Sequence, residues 1–237
     1  MAYLIINGKS SNNINGLLIQ SLPPITKPKM RTSVEEIDGR DGDIVTKLGY
    51  AAYDKTVVIG LKGDYNTDDV IEYLTQDGVI TFSNEPDKIY RFSQIEQADF
   101  AKLIRFKTAN VNFHVQPFKY SGDEPPIHFV NDGKTIGQVN VRNNGNIYSR
   151  PRITINGKNL VSVYVNNEQI YAINLSSAGE TIIIDSIDMN ATDPEGNFLN
   201  RKVAGDYDSF IFKPGHNDLI VTGDFSGFTL EYYSRWI

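Results

Sequence analysis

The strongest constraint on the fold is a two-residue alternation between apolar and other side chains that recurs along the chain. The apolar members of four such stretches are Val57, Ile59 and Leu61; Val111, Phe113 and Val115; Val161, Val163 and Val165; and Phe228, Leu230 and Tyr232. Successive side chains of a β-strand point to opposite faces of its sheet, so this spacing predicts strands that bury one face in a core. Turn-forming groups punctuate the pattern at residues 166–167, 193–196 and 214–217. The predicted fold class is therefore mainly β.

One segment follows a helical spacing instead. In residues 66–77, NTDDVIEYLTQD, the apolar residues Val70, Ile71 and Leu74 fall on one face of a helix. The Asn-Thr pair at its start can cap the free N–H groups, and two aspartates follow at the positive end of the helix dipole. Gly78 stands where a left-handed C-terminal cap is common. The sequence thus predicts one short amphipathic helix that packs on a sheet.

The length of the chain allows two domains. Its 237 residues are enough for one large β domain or for two of roughly 110–120 residues each. A boundary is indicated at residues 117–126, where an alternating strand ends in Pro117 and the sequence SGDEPP follows. Prolines favour an extended backbone and cannot donate to a sheet, so this stretch is typical of a short, stiff linker. We expect a first domain over residues 1–122 and a second over residues 123–237.

Composition narrows the classes of function. Hydrophobic residues make up 40% and charged residues 22% of the chain, which is ordinary for a globular protein. The chain contains no cysteine, which removes disulfides, thiolate metal sites and cysteine nucleophiles together. The start, MAYLIINGKSS, lacks the basic residues and long apolar run of a signal peptide, and no stretch has the length of a membrane-spanning helix. We therefore expect a soluble chain that does not insert into a membrane.

The charge is distributed unevenly. The net charge of −6 disfavours nucleic acid as a tightly held ligand. Residues 1–120 carry 14 Lys and Arg against 15 Asp and Glu, a net charge of −1, while residues 121–237 carry 9 against 14, a net charge of −5. Two surfaces with different neighbours would produce this split, and so would random scatter between two solvated domains.

The stretch EEIDGRDGDIVTKLGY, residues 35–50, has the composition of a calcium loop but not its spacing. An EF-hand loop needs oxygen ligands at its first, third and fifth positions and glycine at its sixth. A frame that begins at Asp38 puts Arg40 third and Gly42 fifth, and a frame that begins at Asp41 puts threonine sixth. Glycine adopts positive φ at little cost and aspartate bonds its own backbone. The two Asp-Gly steps therefore favour a turn between two strands over a metal loop.

The remaining polar residues do not assemble into a catalytic, cofactor-binding or metal-binding constellation. The three histidines are scattered and lack the spacing of a zinc site: His114, His128 and His216. Asp206 and Asp208 are spaced as a pair of carboxylates, but nothing near them resembles a substrate cleft. The run DMNATDPEGN, residues 188–197, could supply calcium ligands, although its DPEG is typical of an ordinary turn. We expect no enzymatic activity, no cofactor and no bound metal.

The second half of the chain is rich in aromatic side chains: Tyr164, Tyr171, Tyr207, Phe225, Tyr232, Tyr233 and Trp236. Such residues could form a sugar-binding platform on a β-sandwich. A carbohydrate-binding module that recognises cell-wall sugars is therefore the alternative function. At strand spacing, however, aromatic residues more often belong to a core or an interface.

Several longer motifs, in their order and spacing, resemble a known family over nearly the whole chain. The first half contains YLIINGK, the turn at residues 39–42, the helix, and QPFKYSG at residues 116–122. The second half contains VRNNGNIYSRPRITINGK at residues 141–158, ETIIID at residues 180–185, DPEGN, FKPGHNDLIVTG and EYYSRW. Together they resemble the distal tail (Dit) proteins of long-tailed phages (siphophages) that infect Gram-positive bacteria. Asp41 stands where that family more often has Asn, and both residues suit the turn.

The resemblance implies a structural protein of the virion and not an enzyme. The first domain, β-sandwich-like with one short α-helix, would form a homohexameric ring between the tail tube protein and the tail-associated hub or lysin protein. The second, a galectin-like or carbohydrate-binding-module-like β-sandwich, would project outward and could carry receptor-binding proteins, although it is too short for the inserted arms of some relatives. DNA would only pass through the lumen. The location implied is the tail tip or baseplate, after folding and assembly in the host cytoplasm.

Overall fold

The computed structural model describes residues 2–93 and 100–237. The chain divides into two compact units, one that extends to Gly122 and includes Ile237, and one that spans Asp123–Trp236. Elements of the first unit are β1 (Leu4–Ile6), β2 (Lys9–Ser10), β3 (Leu17–Ser21), β4 (Met30–Glu35), β5 (Ile44–Tyr50), β6 (Tyr53–Leu61), α1 (Thr67–Leu74), β7 (Gly78–Phe82), β8 (Lys88–Ser93), α2 (Phe100–Phe106) and β9 (Thr108–Ser121). Elements of the second unit are β10 (Ile127–Val130), β11 (Ile136–Asn143), β12 (Arg152–Val165), β13 (Glu168–Asn174), β14 (Glu180–Asp185), β15 (Asn190–Thr192), β16 (Val203–Gly205), β17 (Gly215–Glu231) and β18 (Arg235–Trp236).

The first unit is built on one antiparallel sheet in the strand order β2-β1-β7-β8-β9-β6-β3. The apolar residues of the predicted alternation lie on its inner face, where Val57, Ile59 and Phe113 are fully buried. Helix α1 packs into the same core through Val70 and Leu74. The predicted strands and their buried face are therefore confirmed.

Helix α1 begins as the sequence predicts. The Asn66 side chain accepts a hydrogen bond of 3.0 Å from the backbone N–H of Asp68, which satisfies one of the free donors of the first turn. The buried face consists of Val70, Tyr73 and Leu74, so Tyr73 takes a core position that the sequence pattern assigned to Ile71.

The predicted role of Gly78 was wrong. The helix ends at Leu74, with Thr75 as its C-cap, and Gly78 is the first residue of β7 with φ +132°. An added Cβ at Gly78 would lie 2.3 Å from Oδ1 of Asn7. The Asn7 carboxamide accepts from the N–H of Val79 and donates to the carbonyl of Asp77 at this point. Glycine is therefore required here by a close side-chain approach and not by helix capping.

A second helix, α2, was not predicted. Of its described side chains, Leu103 is buried, whereas Ile104 and Phe106 are exposed. Phe100, Leu103 and Ile104 fall at helical spacing in the sequence, but seven residues are too few for a repeated apolar pattern. Neither α1 nor α2, the α-helices of the described residues, is long and apolar enough to cross a membrane.

The second unit is organised around the long strands β12 and β17, which pair along most of their length. Strand β17 also pairs with β10 and β11, and β12 also pairs with β13 and β14. The register of β12 against β17 shifts between Asn156 and Val161, opposite Gly223, whose φ is +113°. Such bulges bend and twist a strand pair, so the sheet curls around its core. The prediction of a mainly β, sandwich-like fold is confirmed.

Two of the predicted turns are present and a third is displaced. Asn166 and Asn167 have φ values of +52° and +69°, as a two-residue hairpin turn requires, and the N–H of Gly196 donates to the carbonyl of Asp193. At residues 214–217, however, strand β17 already begins at Gly215. The Asn217 carboxamide bonds both backbone groups of residue 213, so a side chain closes the loop in place of a turn.

Strand β9 does not end at Pro117 but continues to Ser121. Pro117 lies where the register between β8 and β9 shifts, because Tyr90 pairs with Lys119 and Phe92 pairs with Val115. A proline is tolerated at such a bulge because no ladder hydrogen bond is required of it.

Residues 36–43 connect β4 and β5 as the turn of an antiparallel hairpin, which confirms the predicted turn. The N–H of Arg40 donates to the carbonyl of Ile37 at 3.1 Å, and Gly39 and Gly42 have φ values of +81° and +77°. Both Asp-Gly steps therefore use a left-handed conformation that glycine adopts without strain.

Replacement of Gly42 by valine tests this turn. An added Cβ meets no atom within 4 Å, so backbone strain at positive φ is the only cost. We expect Gly42→Val to weaken the hairpin by about 1–2 kcal/mol, measured as faster amide exchange over residues 30–50. Gly42→Asn is the control, because asparagine tolerates this conformation. Equal exchange in both variants would contradict the turn, and exchange that slows on addition of calcium would restore the metal loop.

Candidate assembly surface

Hairpin β4–β5 forms a two-stranded sheet of its own, with which no other strand of the described chain pairs. Val34 and Val45 are cross-strand partners and are 54% and 56% exposed. Leu48 occupies the extra position of a β-bulge in β5, and Ile37 lies in the turn; both are exposed as well. We call these four side chains the hairpin surface. An isolated two-stranded hairpin is marginally stable in water, and exposed apolar clusters are typical of interaction sites, so this surface is a candidate contact for a partner.

The tip of the hairpin is acidic. Residues 35–43 contain five Asp and Glu and one Arg. All nine residues are exposed to solvent. A partner that covers the hairpin surface therefore meets apolar side chains beside negative charge, and a basic rim on that partner would complement them.

A second exposed apolar surface lies on α2. Phe106 is 62% exposed and Ile104 is 44% exposed, and the Arg105 guanidinium lies 5.2 Å from the centre of the Phe106 ring. We call Ile104, Phe106, Arg105 and the neighbouring Lys107 the α2 surface. It combines apolar side chains with positive charge, whereas the hairpin tip is apolar and negative.

The two surfaces lie at opposite ends of strand β6. The hairpin joins the Tyr53 end of β6 through residues 51–52. The far end is next to α2, because the N–H of Leu61 donates to the carbonyl of Lys107 at 3.0 Å. A strand rises about 3.3 Å per residue, so β6 separates the base of the hairpin from the α2 surface by roughly 26 Å. The first unit therefore presents two different surfaces at two separate places.

A segment without strand structure, residues 22–29 with the sequence LPPITKPK, leads from β3 into the hairpin; we call it the connector. The Nζ of Lys55 donates to the carbonyl of Pro24 at 3.2 Å, and the carboxamide of Asn84 donates to the carbonyl of Pro23 at 3.0 Å. At its other end, the N–H of Ala51 donates to the carbonyl of Lys29 at 2.8 Å. The connector is therefore held by hydrogen bonds at both ends.

Lys55 is the most unusual residue of the first unit, because it is a lysine with only 2% of its surface exposed. Residues of a strand two apart share a face, so Lys55 continues the apolar row of Val57 and Ile59 on the inner face of β6. Its ammonium lies 4.8 Å from the ring centre of Tyr90, 5.4 Å from that of Phe82 and 5.7 Å from that of Tyr53. These contacts are cation–π interactions in a desolvated place. Burial lowers the pKa of Lys55, and the carboxylate of Glu85 opposes this shift.

Glu85 completes the cluster around Lys55. Its carboxylate accepts hydrogen bonds from the hydroxyl of Tyr90 and from the ammonium of Lys119. The hydroxyl of Tyr53 is also buried, and no hydrogen-bond partner for it exists among the described residues. Burial, together with the negative charge of Glu85, raises the pKa of Tyr53 to about 12. We call Lys55, Tyr53, Phe82, Tyr90 and Glu85 the lysine box.

The acidic residues weighed as catalytic or calcium-binding candidates take part in local structure. Asp206 caps a short 3-10 helix by accepting from the N–H of Asp208, and Asp208 pairs with Arg150 at 2.7 Å. Asp193 bonds both the N–H and the side chain of Asn197, which closes the DPEG turn. Within residues 2–93 and 100–237, no three His, Asp or Glu side chains come together as a metal site.

The three histidines lie on separate strands. His114 contacts Asp54 across β6 and β9, His128 contacts Thr229 in the second unit, and His216 belongs to β17. The three histidines therefore do not share a site.

The second unit contains two open polar cavities of about 370 and 550 Å³ that share Lys158, Asp224 and Ser226. Phe225, the aromatic residue of this lining, is only 5% exposed. Tyr171 is fully buried as well, so both aromatics belong to the core as their strand spacing indicated. The cavities therefore offer no exposed ring on which a sugar could stack, and the carbohydrate-binding alternative gains no support from them.

Comparisons with known proteins identify the fold. No protein-family model matches the chain, and no curated protein matches it. Among solved structures, the SPP1 Dit (gp 19.1) protein, described as a paradigm of the hub adsorption apparatus in phages that infect Gram-positive bacteria, covers 100% of this chain and 100% of its own. The TM-score is 0.63 and the sequence identity is 16%. The chain therefore has a Dit-like fold.

A second structure is more distant. The phage P2 baseplate in its activated conformation covers 98% of both chains at 9% identity and a TM-score of 0.46, and we base no conclusion on it.

The unpaired hydroxyl in the lysine box leads to a prediction for Tyr53→Phe. A buried hydroxyl without a partner costs about 1–3 kcal/mol, so its removal should raise the free energy of unfolding by about 1 kcal/mol at pH 8. The pKa of Tyr53 is raised to about 12, so the stability of the wild type is unaffected by this ionisation below the unfolded value near pH 10 and falls as the pH rises from there toward 12. Tyr53→Phe should therefore lose less stability than the wild type between pH 8 and pH 11.

Urea unfolding followed by circular dichroism at both pH values measures this effect. Tyr90→Phe is the matched control, because it removes a hydroxyl that does bond Glu85 and should destabilise the protein. A Tyr53→Phe variant that is less stable than the wild type at pH 8 would show that the hydroxyl has a partner in solution.

Proposed function

We propose that this chain is a structural protein of a phage tail tip, or baseplate, and that its first unit assembles into a ring of six copies. The observation that carries the proposal is the hairpin surface, an apolar strand pair with no partner among the described residues. The Dit-like fold supports the same role. The chain acts through assembly and not through catalysis.

The two surfaces of the first unit favour a ring over a two-fold dimer. A two-fold interface uses the same patch on both copies, whereas a contact between two different patches repeats from copy to copy and closes when the rotation fits. The hairpin tip is acidic, and the α2 surface carries Arg105 and Lys107. In the proposed ring the hairpin of one copy therefore covers a surface of the next copy, with opposite charges facing each other.

The charge split supports the first unit as the ring. The net charge of −1 on residues 1–120 accumulates little repulsion when six copies surround one axis. The net charge of −5 on residues 121–237 would accumulate far more, so the second units are better placed at the outside of the ring. An acidic chain also leaves the lumen without affinity for DNA that passes through it.

The copy number and the other partners come from the resemblance to the distal tail family. SPP1 Dit is described as a hub adsorption protein, and the Dit-like fold supports a corresponding place for this chain. We infer that the ring joins the tail tube protein to the tail-associated hub or lysin protein, within the virion. The second unit then projects toward receptor-binding proteins and host adsorption.

Charge placed in the hairpin surface should prevent assembly. In the full chain, Val45→Asp puts a carboxylate opposite Val34, where the proposed contact is apolar. We expect the wild type to give a higher oligomer, near six copies, and Val45→Asp to give monomers with an unchanged melting temperature. Light scattering at increasing protein concentration measures both states, and Phe106→Asp should have the same effect if the α2 surface is the receiving one.

Val130→Asp is the matched control, because Val130 is an exposed valine of the second unit, 75% exposed. It should assemble like the wild type. Wild-type protein that stays monomeric at every concentration would remove the self-assembly on which the proposal rests, and a Val45→Asp variant that still assembles would show that the hairpin is not the contact.

A further inference from the structure

The structure assigns a role to the lysine box that the fold alone does not require: Lys55 is a positioning residue that holds the connector and thereby sets the direction in which the hairpin leaves the first unit. The effect of Lys55 on assembly rests on the proposed function. The hold of Lys55 on the connector stands on contacts within one copy.

Burial of a lysine carries a free-energy cost. An ammonium without water is strongly disfavoured unless rings or carbonyls replace its hydration shell. Methionine would fill the same space among Tyr90, Phe82 and Tyr53 without that cost. The packing of these three rings therefore does not require a charge at position 55.

The contact that only a donor can make is the one to the connector. The Nζ of Lys55 donates to the carbonyl of Pro24, and the rings beneath it fix the position of that nitrogen. Pro23 is buried, whereas the neighbouring Ile25 is 59% exposed, so side-chain packing holds only part of the connector. The hydrogen bonds from Asn84 and Lys55 hold two consecutive backbone carbonyls, those of Pro23 and Pro24.

The connector in turn determines where the hairpin points. The hairpin has no strand partner among the described residues, so its direction depends on its two junctions, the connector before β4 and residues 51–52 after β5. The second junction is held by the bond between Ala51 and Lys29 and by the edge-to-face contact of Tyr50 with Phe118. Without the bond at Pro24, the hydrogen bonds described above would hold the connector only at Pro23 and Lys29, so the path of the chain into β4 would be less fixed. A ring needs the same direction in every copy, because small errors accumulate around it.

The experiment compares Lys55→Met with the wild type in two backgrounds. In the non-assembling Val45→Asp background, trypsin cleavage after Lys29 reports the freedom of the connector, and we expect Lys55→Met to speed it about tenfold. In the assembling background, light scattering should show a loss of oligomer. Lys62→Met, which removes an exposed lysine just beyond β6, is the matched control and should change neither measurement.

The outcomes separate this inference from the proposed function. Faster cleavage with loss of oligomer and an unchanged melting temperature supports it. Unchanged cleavage overturns it even if the ring is real, and faster cleavage with normal assembly overturns the positioning role. Should Lys55→Met not fold, Lys55→Leu decides instead, because it is a second apolar replacement that removes the same donor to Pro24; cleavage and assembly that stay at the wild-type level would then overturn the inference.

Discussion

The proposed assembly depends on one feature of the structure: hairpin β4–β5 carries apolar side chains on a two-stranded sheet that is too small to bury them. Val34 and Val45 face each other across the hairpin and remain more than half exposed. Two strands alone form no core, so we propose that a second protein surface covers this part of the fold. The proposed assembly follows from that feature, because the two units have cores of their own whereas the hairpin exposes its apolar side chains.

Strand β6 relates the core to the assembly surfaces. The inner face of β6 buries Val57 and Ile59. Near the start of the strand, Lys55 lies over the ring of Tyr90 in the lysine box. At the far end, the N–H of Leu61 donates to the carbonyl of Lys107, which follows α2. The same strand thus fixes the distance between the hairpin and the α2 surface. In the proposed ring of identical copies this distance is a dimension of the assembly, so a strand with one face buried in the core is a suitable spacer between the two contacts.

Much of the fold was predictable from the sequence, because period-two alternation and turn chemistry are local signals. The strands around Val57, Phe113 and Val163, the cap at Asn66 and the turn at Gly39 and Gly42 all follow from such signals. Long-range contacts decided the exceptions. Gly78 is required by a side chain about seventy residues earlier in the chain, and Pro117 is accommodated by a bulge in its pairing with β8. Helix α2, with seven residues, is too short for a repeated apolar pattern. The burial of Lys55 could have been predicted, since its place in the alternation puts this lysine on the core face of β6. Its hydrogen bond to Pro24 could not, because spacing along one strand does not show which loop lies above it.

Negative-stain images of the purified full-length protein test the central claim most directly. The account predicts closed rings with an open centre and six-fold symmetry in class averages, with the second units at the periphery. Val45→Asp protein prepared in the same way should show single particles. Two-fold dimers in the wild type, or rings whose inner wall is formed by the acidic second units, would contradict the account.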